Sequence, residues 1–455
     1  MSDTALQEFV EATATKFGIP GITVGIWVDG REIFASHGVT SIENPVPVDR
    51  DTLFTVGSVS KTFTVTAVMQ LVAEGRIDLD APVRTYVPEL TLIDETAAAT
   101  ITVKQLLNHT AGLDWNLIND TGEGDEALAE FVAELAEIPL IGAPGARASY
   151  SQAGYNLLGR VIENVTGQSF EHVVRTRVLA PLGLTTTGYL RNEIMTRRFS
   201  VGHERGEDGE LSIIRSWNGT RANNPGGGIS SSVAEQLRWA RFHLGDGTTE
   251  SSETVLPAAW LSLMKQPTVE LKASTLGDAL GLCWFLRDVD GVRTVGHGGS
   301  AFGQFAELLL VPERDFAISV MSNASDGIPS NVAIVRWALE HYLGVIDQDP
   351  EPLPFDPSHA HELLGTYDID AMTMTVLAGD SGLSLECKIK PEIRAAAETE
   401  LPQDHPPFPF GLLPGEGDEY IITEGSFKGQ RGYFSRNDSG KIIGLDLAGR
   451  LFTRA

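Results

Sequence analysis

Apolar positions change their spacing several times along the chain, and each spacing predicts a different element. Residues 1–18, MSDTALQEFVEATATKFG, are spaced as an acidic amphipathic helix. The strings ITVGIWVD (22–29) and REIFAS (31–36) read as two strands joined at Asp29-Gly30, a good hairpin signal. From 60 to 75 the chain is apolar nearly all round (Phe63, Val65, Ala67, Val68, Met69, Leu71, Val72), which predicts a helix buried in the core. Helical spacing continues over 102–109, 126–137, 153–167, 169–183 and 231–244, the last opening with Ser232 and Glu235 at capping-box spacing. Strands return at 294–299, 303–312 and 316–323, followed by a helix at 329–343. Strands at both ends with helices between predict one antiparallel sheet, built by the chain ends, with a helical region inserted into it.

The pattern then changes again. DQDPEPLPFDP (347–357) holds four prolines, at 350, 352, 354 and 357, and predicts a stiff, extended linker. Beyond it, MTMTVLAG, GLSLECKIK, YIITEGSFKG, RGYFSR and KIIGLDLAG alternate with period two between regular turns, which predicts a small β-barrel or sandwich. The expected domains are 1–346 and 358–455, with 347–357 between them.

Ser58 and Lys61 stand three residues apart where the core helix begins. A serine there is ordinarily an N-cap, and its favoured companion three residues on is Glu or Gln. A lysine in a first turn opposes the helix dipole, at a cost of about 0.3–1 kcal/mol. The alternative is chemical. Positions i and i+3 share a face, so Lys61 can reach the Ser58 hydroxyl, which is a poor nucleophile until a base takes its proton. Two further strings carry candidate partners. Tyr150 follows the loop GAPGA and precedes a helix in ASYSQAGYNLLG (148–159). His297 ends a strand in VGHGGSAFGQ (295–304), where Gly298 and Gly299 allow a backbone to approach a ligand closely, as an oxyanion site of N–H groups requires.

Composition narrows the classes. Of the 455 residues, 42% are hydrophobic and 21% charged, an ordinary globular balance with ample chain for a core. The formal charge of −27 argues against nucleic-acid or anionic-membrane partners. No stretch approaches 18 consecutive apolar residues, and the first residues lack the features of a signal peptide, so a cytoplasmic location is expected. Two cysteines, Cys283 and Cys387, give neither a disulfide framework nor metal spacing. No phosphate-loop, zinc-protease or nucleophile-elbow motif is found.

Taken together, Ser58-x-x-Lys61, Tyr150-x-Gln152 and His297-Gly298-Gly299, with LLNHTAGL (106–113) and PGGGISSS (225–232), resemble the serine β-lactamase-related hydrolases of the class C type. That family includes class C β-lactamases, D-alanyl-D-alanine carboxypeptidases, D-aminopeptidases and esterases. The resemblance covers roughly residues 5–345. It implies an α/β (α+β) fold, an antiparallel sheet flanked by helices plus a helical subdomain, and its tail resembles the small lipocalin-like barrels appended to some members. It implies Ser58 as the acylated nucleophile, Lys61 as its activator, Tyr150 as proton relay and His297 in the place of the third-motif base. The backbone N–H groups of Ser58 and Ser300 would form the oxyanion hole. Gln152, Gly298 and Gly299 fall at substrate-binding positions, with His109 and Trp115 as candidate cleft residues.

Two departures bear on the substrate. Gln152 replaces an Asn and is one methylene longer, and Gly298 replaces a Thr whose hydroxyl can hold a carboxylate. Both argue against lactam and D-Ala-D-Ala recognition while leaving the acyl-transfer residues intact. The expected function is hydrolysis of a small ester or amide through an acyl-enzyme on Ser58, of esterase or D-amino-acid peptidase type, with no metal and no organic cofactor. The alternatives are a β-lactamase or penicillin-binding carboxypeptidase, and a non-catalytic binder of peptidoglycan fragments. Homo-oligomerisation is left open.

Overall fold

The structure, a computed structural model, describes residues 3–455 apart from 114–119, 207, 216–218, 250, 370, 380–381, 397–403, 405, 416–417 and 426. Eight antiparallel strands form the main sheet. Their spatial order is Arg31–Gly38, Gly21–Val28, Phe316–Ser322, Gln304–Val311, Val292–Ala301, Phe285–Val289, Gly277–Leu280 and Val269–Ser274. The chain ends meet inside this sheet, with Ile22 opposite Ser322 and Ile26 opposite Ile318, so the expected architecture is the observed one. Asp29 and Gly30 both take positive φ, at 51° and 71°, and Val28 faces Arg31 across a two-residue turn, as the Asp-Gly pair predicts.

Helices Thr4–Phe17 and Gly327–Ala338 cover one face of the sheet, closing a core that includes Leu6, Val10, Ile26, Val320 and Ile334. The other face carries the helical region. At its centre helix Ser60–Ala73 is buried on every side, which is why its sequence lacks a polar stripe, and Phe63 stacks on Trp239 at 4.1 Å. Helix Val233–Leu244 is capped by Ser232, but Glu235 does not complete a capping box. Its carboxylate instead accepts from the backbone of Thr186 and Thr187, tying the helix to a neighbouring loop.

Three strands of the sheet, Val269–Ser274, Gly277–Leu280 and Phe285–Val289, lie in a region not read as strands from the sequence. Asp290 and Gly291, with φ of 50° and 76°, make the tight turn into Val292–Ala301. This second Asp-Gly hairpin signal was there to be read.

The C-terminal region closes into an eight-stranded up-and-down barrel, from Gly365–Asp368 to Arg450–Arg454, with Tyr367 opposite Arg454 at the closure. Its interior is filled by Tyr367, Leu385, Phe410, Tyr420, Phe434 and Phe452. The proline-rich segment is neither helix nor strand over 347–356, and it is pinned rather than free. Asp347 pairs with Arg287 at 2.6 Å, Asp349 with Arg336 at 2.5 Å, and Leu353 N–H donates to Leu412 of the barrel at 2.7 Å. The barrel also touches the sheet-and-helix region directly, through Arg147 to Tyr433 Oη at 2.6 Å and Thr275 to the backbone of Arg431. No helix among the described residues is long and apolar enough to cross a membrane.

Candidate active site

The first question the sequence raises is what Ser58 does at the helix start. Ser58 lies in the single 3-10 turn Gly57–Val59, and the helix that follows begins at Ser60 with Val59 at its cap and no side-chain cap bond. The Ser58 hydroxyl is therefore free of capping duty, and Lys61 Nζ donates to Ser58 Oγ at 3.2 Å. Lys61 is fully buried. Its ammonium also donates to Gln152 Oε1 and to the Gly226 carbonyl, both at 2.7 Å. Three acceptors fix Nζ in place, and none of them is a carboxylate. Burial, helped by the nearby Arg450 guanidinium, lowers its pKa from 10.5 to about 7.

Gln152 is thus engaged at both ends of its amide. Its amide nitrogen donates to Asn156 Oδ1 at 3.0 Å, so the side chain bridges Lys61 and the next turn of helix Gln152–Thr166. The extra methylene relative to Asn is accommodated by Gly226: a Cβ there would come within 1.5 Å of Gln152 Nε2.

Tyr150 stands just before that helix, buried, with Lys61 Nζ 4.8 Å from its ring centroid. Its hydroxyl makes no hydrogen bond of normal geometry. Burial raises its pKa above the ordinary phenol value, and the facing Ser58 hydroxyl opposes that rise. His109 packs behind it, ring centroids 4.4 Å apart, and accepts from Ser151 N–H through Nδ1 at 3.1 Å. His109 is buried against Tyr150 and Tyr155 rather than open to a cleft, and burial holds it neutral. Trp115 lies outside the described residues.

His297 sits in strand Val292–Ala301, its ring stacked on Phe285 at 4.3 Å and 6.1 Å from the Tyr150 ring. Burial and the neighbouring Lys61 lower its pKa to about 3, so it is neutral at physiological pH, well below the ordinary histidine value. Nδ1 meets the Gly298 carbonyl at 2.6 Å, which fixes the proton on Nδ1 and leaves Nε2 as acceptor. Two glycines bring Ser58 and Ser300 together. A Cβ on Gly57 would lie 2.6 Å from Ser300 N, and one on Gly299 would lie 2.8 Å from Ser58 N, so any side chain at either position would separate the two backbones. Gly298 has a different neighbour: a Cβ there would lie 3.0 Å from Glu307 Oε2.

Sequence reasoning missed Gly226, Asn156 and Phe285, and above all Arg450. Arg450 comes from the last barrel strand, with its guanidinium carbon 5.3 Å from the Tyr150 ring centroid. No local pattern marks it, because only the docking of two domains brings it here.

A family model described as Beta-lactamase matches residues 6–343. The chain belongs to the β-lactamase family. It is 34% identical over 372 residues to penicillin-binding protein 4 of Amycolatopsis lactamdurans, spanning 80% of this chain and 96% of that one. Among solved structures, that of SurE superposes with a TM-score of 0.77 at 25% identity, covering 99% of both chains; SurE is also solved with D-Leu. An octameric penicillin-binding protein homologue from Pyrococcus abyssi superposes with a TM-score of 0.66 at 22% identity, again over 99% of both chains. Matches over both whole chains mean that the barrel, and not only the β-lactamase-family domain, is part of the shared fold. The β-lactamase family is one of serine hydrolases, and the three strings singled out in this sequence meet at one locus. Ser58, Lys61, Tyr150 and His297 converge there, together with the glycine seam at 57 and 299.

Proposed function

We propose that the protein is an acyl-transfer hydrolase using Ser58 as nucleophile, acting on a small amide, peptide or ester. The observation that carries this reading is Lys61: a buried lysine with a pKa near 7, held 3.2 Å from the Ser58 hydroxyl by two neutral acceptors. Burial that disfavours the charged form is how a lysine becomes a base at neutral pH.

In the proposed sequence neutral Lys61 takes the Ser58 proton as Oγ forms its bond to the substrate carbonyl carbon. The backbone N–H groups of Ser58 and Ser300 receive the developing oxyanion. Tyr150, whose raised pKa keeps it protonated, donates its proton to the leaving group and is reprotonated through Lys61. Collapse expels the leaving amine or alcohol; water then attacks the acyl carbon while Lys61 again accepts a proton, the Oγ–acyl bond breaks to release the acid, and Lys61 returns its proton to Ser58 Oγ. His297, neutral, takes no charge-bearing part; its Nε2 is an acceptor beside Tyr150.

An ester or amide substrate ranks above a lactam because Gly298 offers no hydroxyl, His297 offers no charge, and Gln152 is spent on Lys61. The D-Leu in the SurE structure puts D-residues among the acyl and leaving groups to test. The test is a panel of p-nitrophenyl acetate, D- and L-amino-acid p-nitroanilides and nitrocefin. Turnover of esters or anilides with kcat/KM above that for nitrocefin is expected. Nitrocefin as the best substrate would favour the lactamase reading, and turnover of none would favour a binding protein.

A further inference from the structure

We propose that the Glu307 carboxylate, reached across Gly298, binds an organic ammonium carried by the leaving group of the substrate, such as the side chain of a lysine residue. The inference rests on the placement of the reaction at Ser58 and names the charge that selects what reacts there.

The free edge of one strand brings Glu307 to the site. Strand Val292–Ala301 pairs with Phe285–Val289 only as far as Gly296, opposite Phe285, whereas its pairing with Gln304–Val311 runs on to Ala301. Among the described residues, the edge from His297 onward is therefore unpaired on one side, and it opens to solvent: Gly298 and Gly299 are half-buried and Ser300 is exposed. Glu307 is the cross-strand neighbour of Gly298, and a Cβ on Gly298 would lie 3.0 Å from Glu307 Oε2 and 3.8 Å from its Cδ. With no side chain at 298, the half-buried carboxylate lies directly against the backbone of that edge. Ser300, whose N–H is the proposed oxyanion donor, is two residues further on, a rise of about 7 Å. His297, one residue back, lies beside Tyr150, the proposed proton donor to the leaving group. A substrate whose carbonyl oxygen sits at Ser300 thus sends its leaving group toward Tyr150 and Gly298, and a side chain of lysine length spans the remaining separation to Glu307.

Among the described residues the Glu307 carboxylate makes no hydrogen bond and no ion pair. The guanidinium whose charge reaches it, that of Arg287, has both terminal nitrogens on Asp347, at 2.9 and 2.6 Å. Burial accordingly raises the Glu307 pKa to about 7, with Arg287 opposing the rise. A carboxylate held in this way without a partner is a cost to the fold, and a ligand ammonium supplies what is missing, a positive charge and up to three N–H donors for its two oxygens. Among the described residues no three His, Cys, Asp or Glu side chains gather as a bound metal ion would need, so the complement is an organic cation. The formal charge of −27 draws such a cation toward the molecule at long range, and the same carboxylate repels a substrate that carries a carboxylate at this position.

The test uses full-length protein at pH 8, with the N-benzoyl derivatives of D- and L-lysinamide against those of D- and L-2-aminoheptanamide, which carries a methyl group where lysinamide carries its ammonium. Calorimetric titration reads binding whether or not Ser58 reacts. A separate arm asks whether each ligand slows fluorophosphonate labelling of Ser58. The wild type should bind at least one lysinamide at least ~10-fold more tightly than its neutral counterpart, the scale of a lost hydrogen bond to a charged group, and that ligand should slow labelling. Glu307→Gln, which removes the charge and keeps the shape, should bring the ratio close to one. Gly298→Ala, whose methyl would stand against the carboxylate, should lower it as well. A ratio near one in the wild type, a ratio that either variant leaves intact, or binding that leaves labelling unslowed overturns the proposal. Absence of Ser58 labelling by the fluorophosphonate alone, alongside a Glu307-dependent ratio, would instead overturn the hydrolase reading and leave Glu307 as a ligand residue.

Discussion

A lysine tuned to accept a proton in a buried site should be a burden on the fold, and Lys61→Met measures it. Methionine keeps the length and apolar volume of the side chain while removing the ammonium. Lowering the pKa from 10.5 to about 7 corresponds to about 5 kcal/mol spent keeping Lys61 charged in the folded protein, a cost carried in full below pH 7. The substitution also strips Gln152 Oε1 and the Gly226 carbonyl of their donor, at about 1–3 kcal/mol each. The two effects oppose each other, so the absolute change is small or modestly stabilising at pH 6. The pH dependence is cleaner. Between pH 7 and 10.5 the unfolded wild type holds a proton that the folded wild type does not, so wild-type stability rises with pH relative to the variant. The slope is about 1.4 kcal/mol per pH unit. The advantage of Lys61→Met over wild type should thus be flat below pH 7 and fall by about 2–3 kcal/mol between pH 7 and 9. Glu307 and Asp446, whose pKa values burial raises to about 7, are present in both proteins and cancel in the difference. Urea unfolding followed by tryptophan fluorescence suits the measurement, because all seven tryptophans precede residue 346 and report the β-lactamase-family region. A difference that stays constant from pH 6 to 9, or that grows with pH, would refute the claim that Lys61 is held near neutrality by burial.

Activity should follow the same group. kcat/KM for an uncharged ester should climb about tenfold per pH unit below about 7 and level off above it, as Lys61 loses its proton; an acidic limb near 4 or near 10 would point to another base. Gly226→Ala should cut kcat by about 10² or more with the fold retained, because the new methyl displaces the Gln152 amide that orients Lys61; near-normal kcat with near-normal thermal unfolding would show that Gln152 does not matter. Gly298→Thr should fail to improve nitrocefin turnover by itself, since its side chain meets the Glu307 carboxylate, and should improve it only when combined with Glu307→Gln; improvement by the single change would mean that position 298 faces the substrate unimpeded.

Much of the site was legible because its signals are local. Ser58 and Lys61 are one helical turn apart, and the absence of Glu or Gln at the capping-box position already set the pair apart from a simple cap. The core helix showed itself by having no polar face. What sequence missed came from long range. The hydrogen bonds of Gln152 to Lys61 and Asn156 become visible only when two helices pack. Burial, with the neighbouring Lys61, moves His297 from an ordinary histidine to one that stays neutral. The first, fourth and last barrel strands, Gly365–Asp368, Phe408–Leu412 and Arg450–Arg454, escaped the alternation pattern. Missing the last of them hid Arg450 and the contact between barrel and active site.

The most direct measurement of the central claim is the intact mass of the protein after treatment with a fluorophosphonate, with peptide mapping of the adduct. A single adduct on Ser58 is predicted, formed rapidly in the wild type, slowed at least ~10²-fold by Lys61→Ala, and absent from Ser58→Ala. An adduct that persists in Ser58→Ala, or a wild type that forms none, would contradict the assignment of Ser58 as the nucleophile.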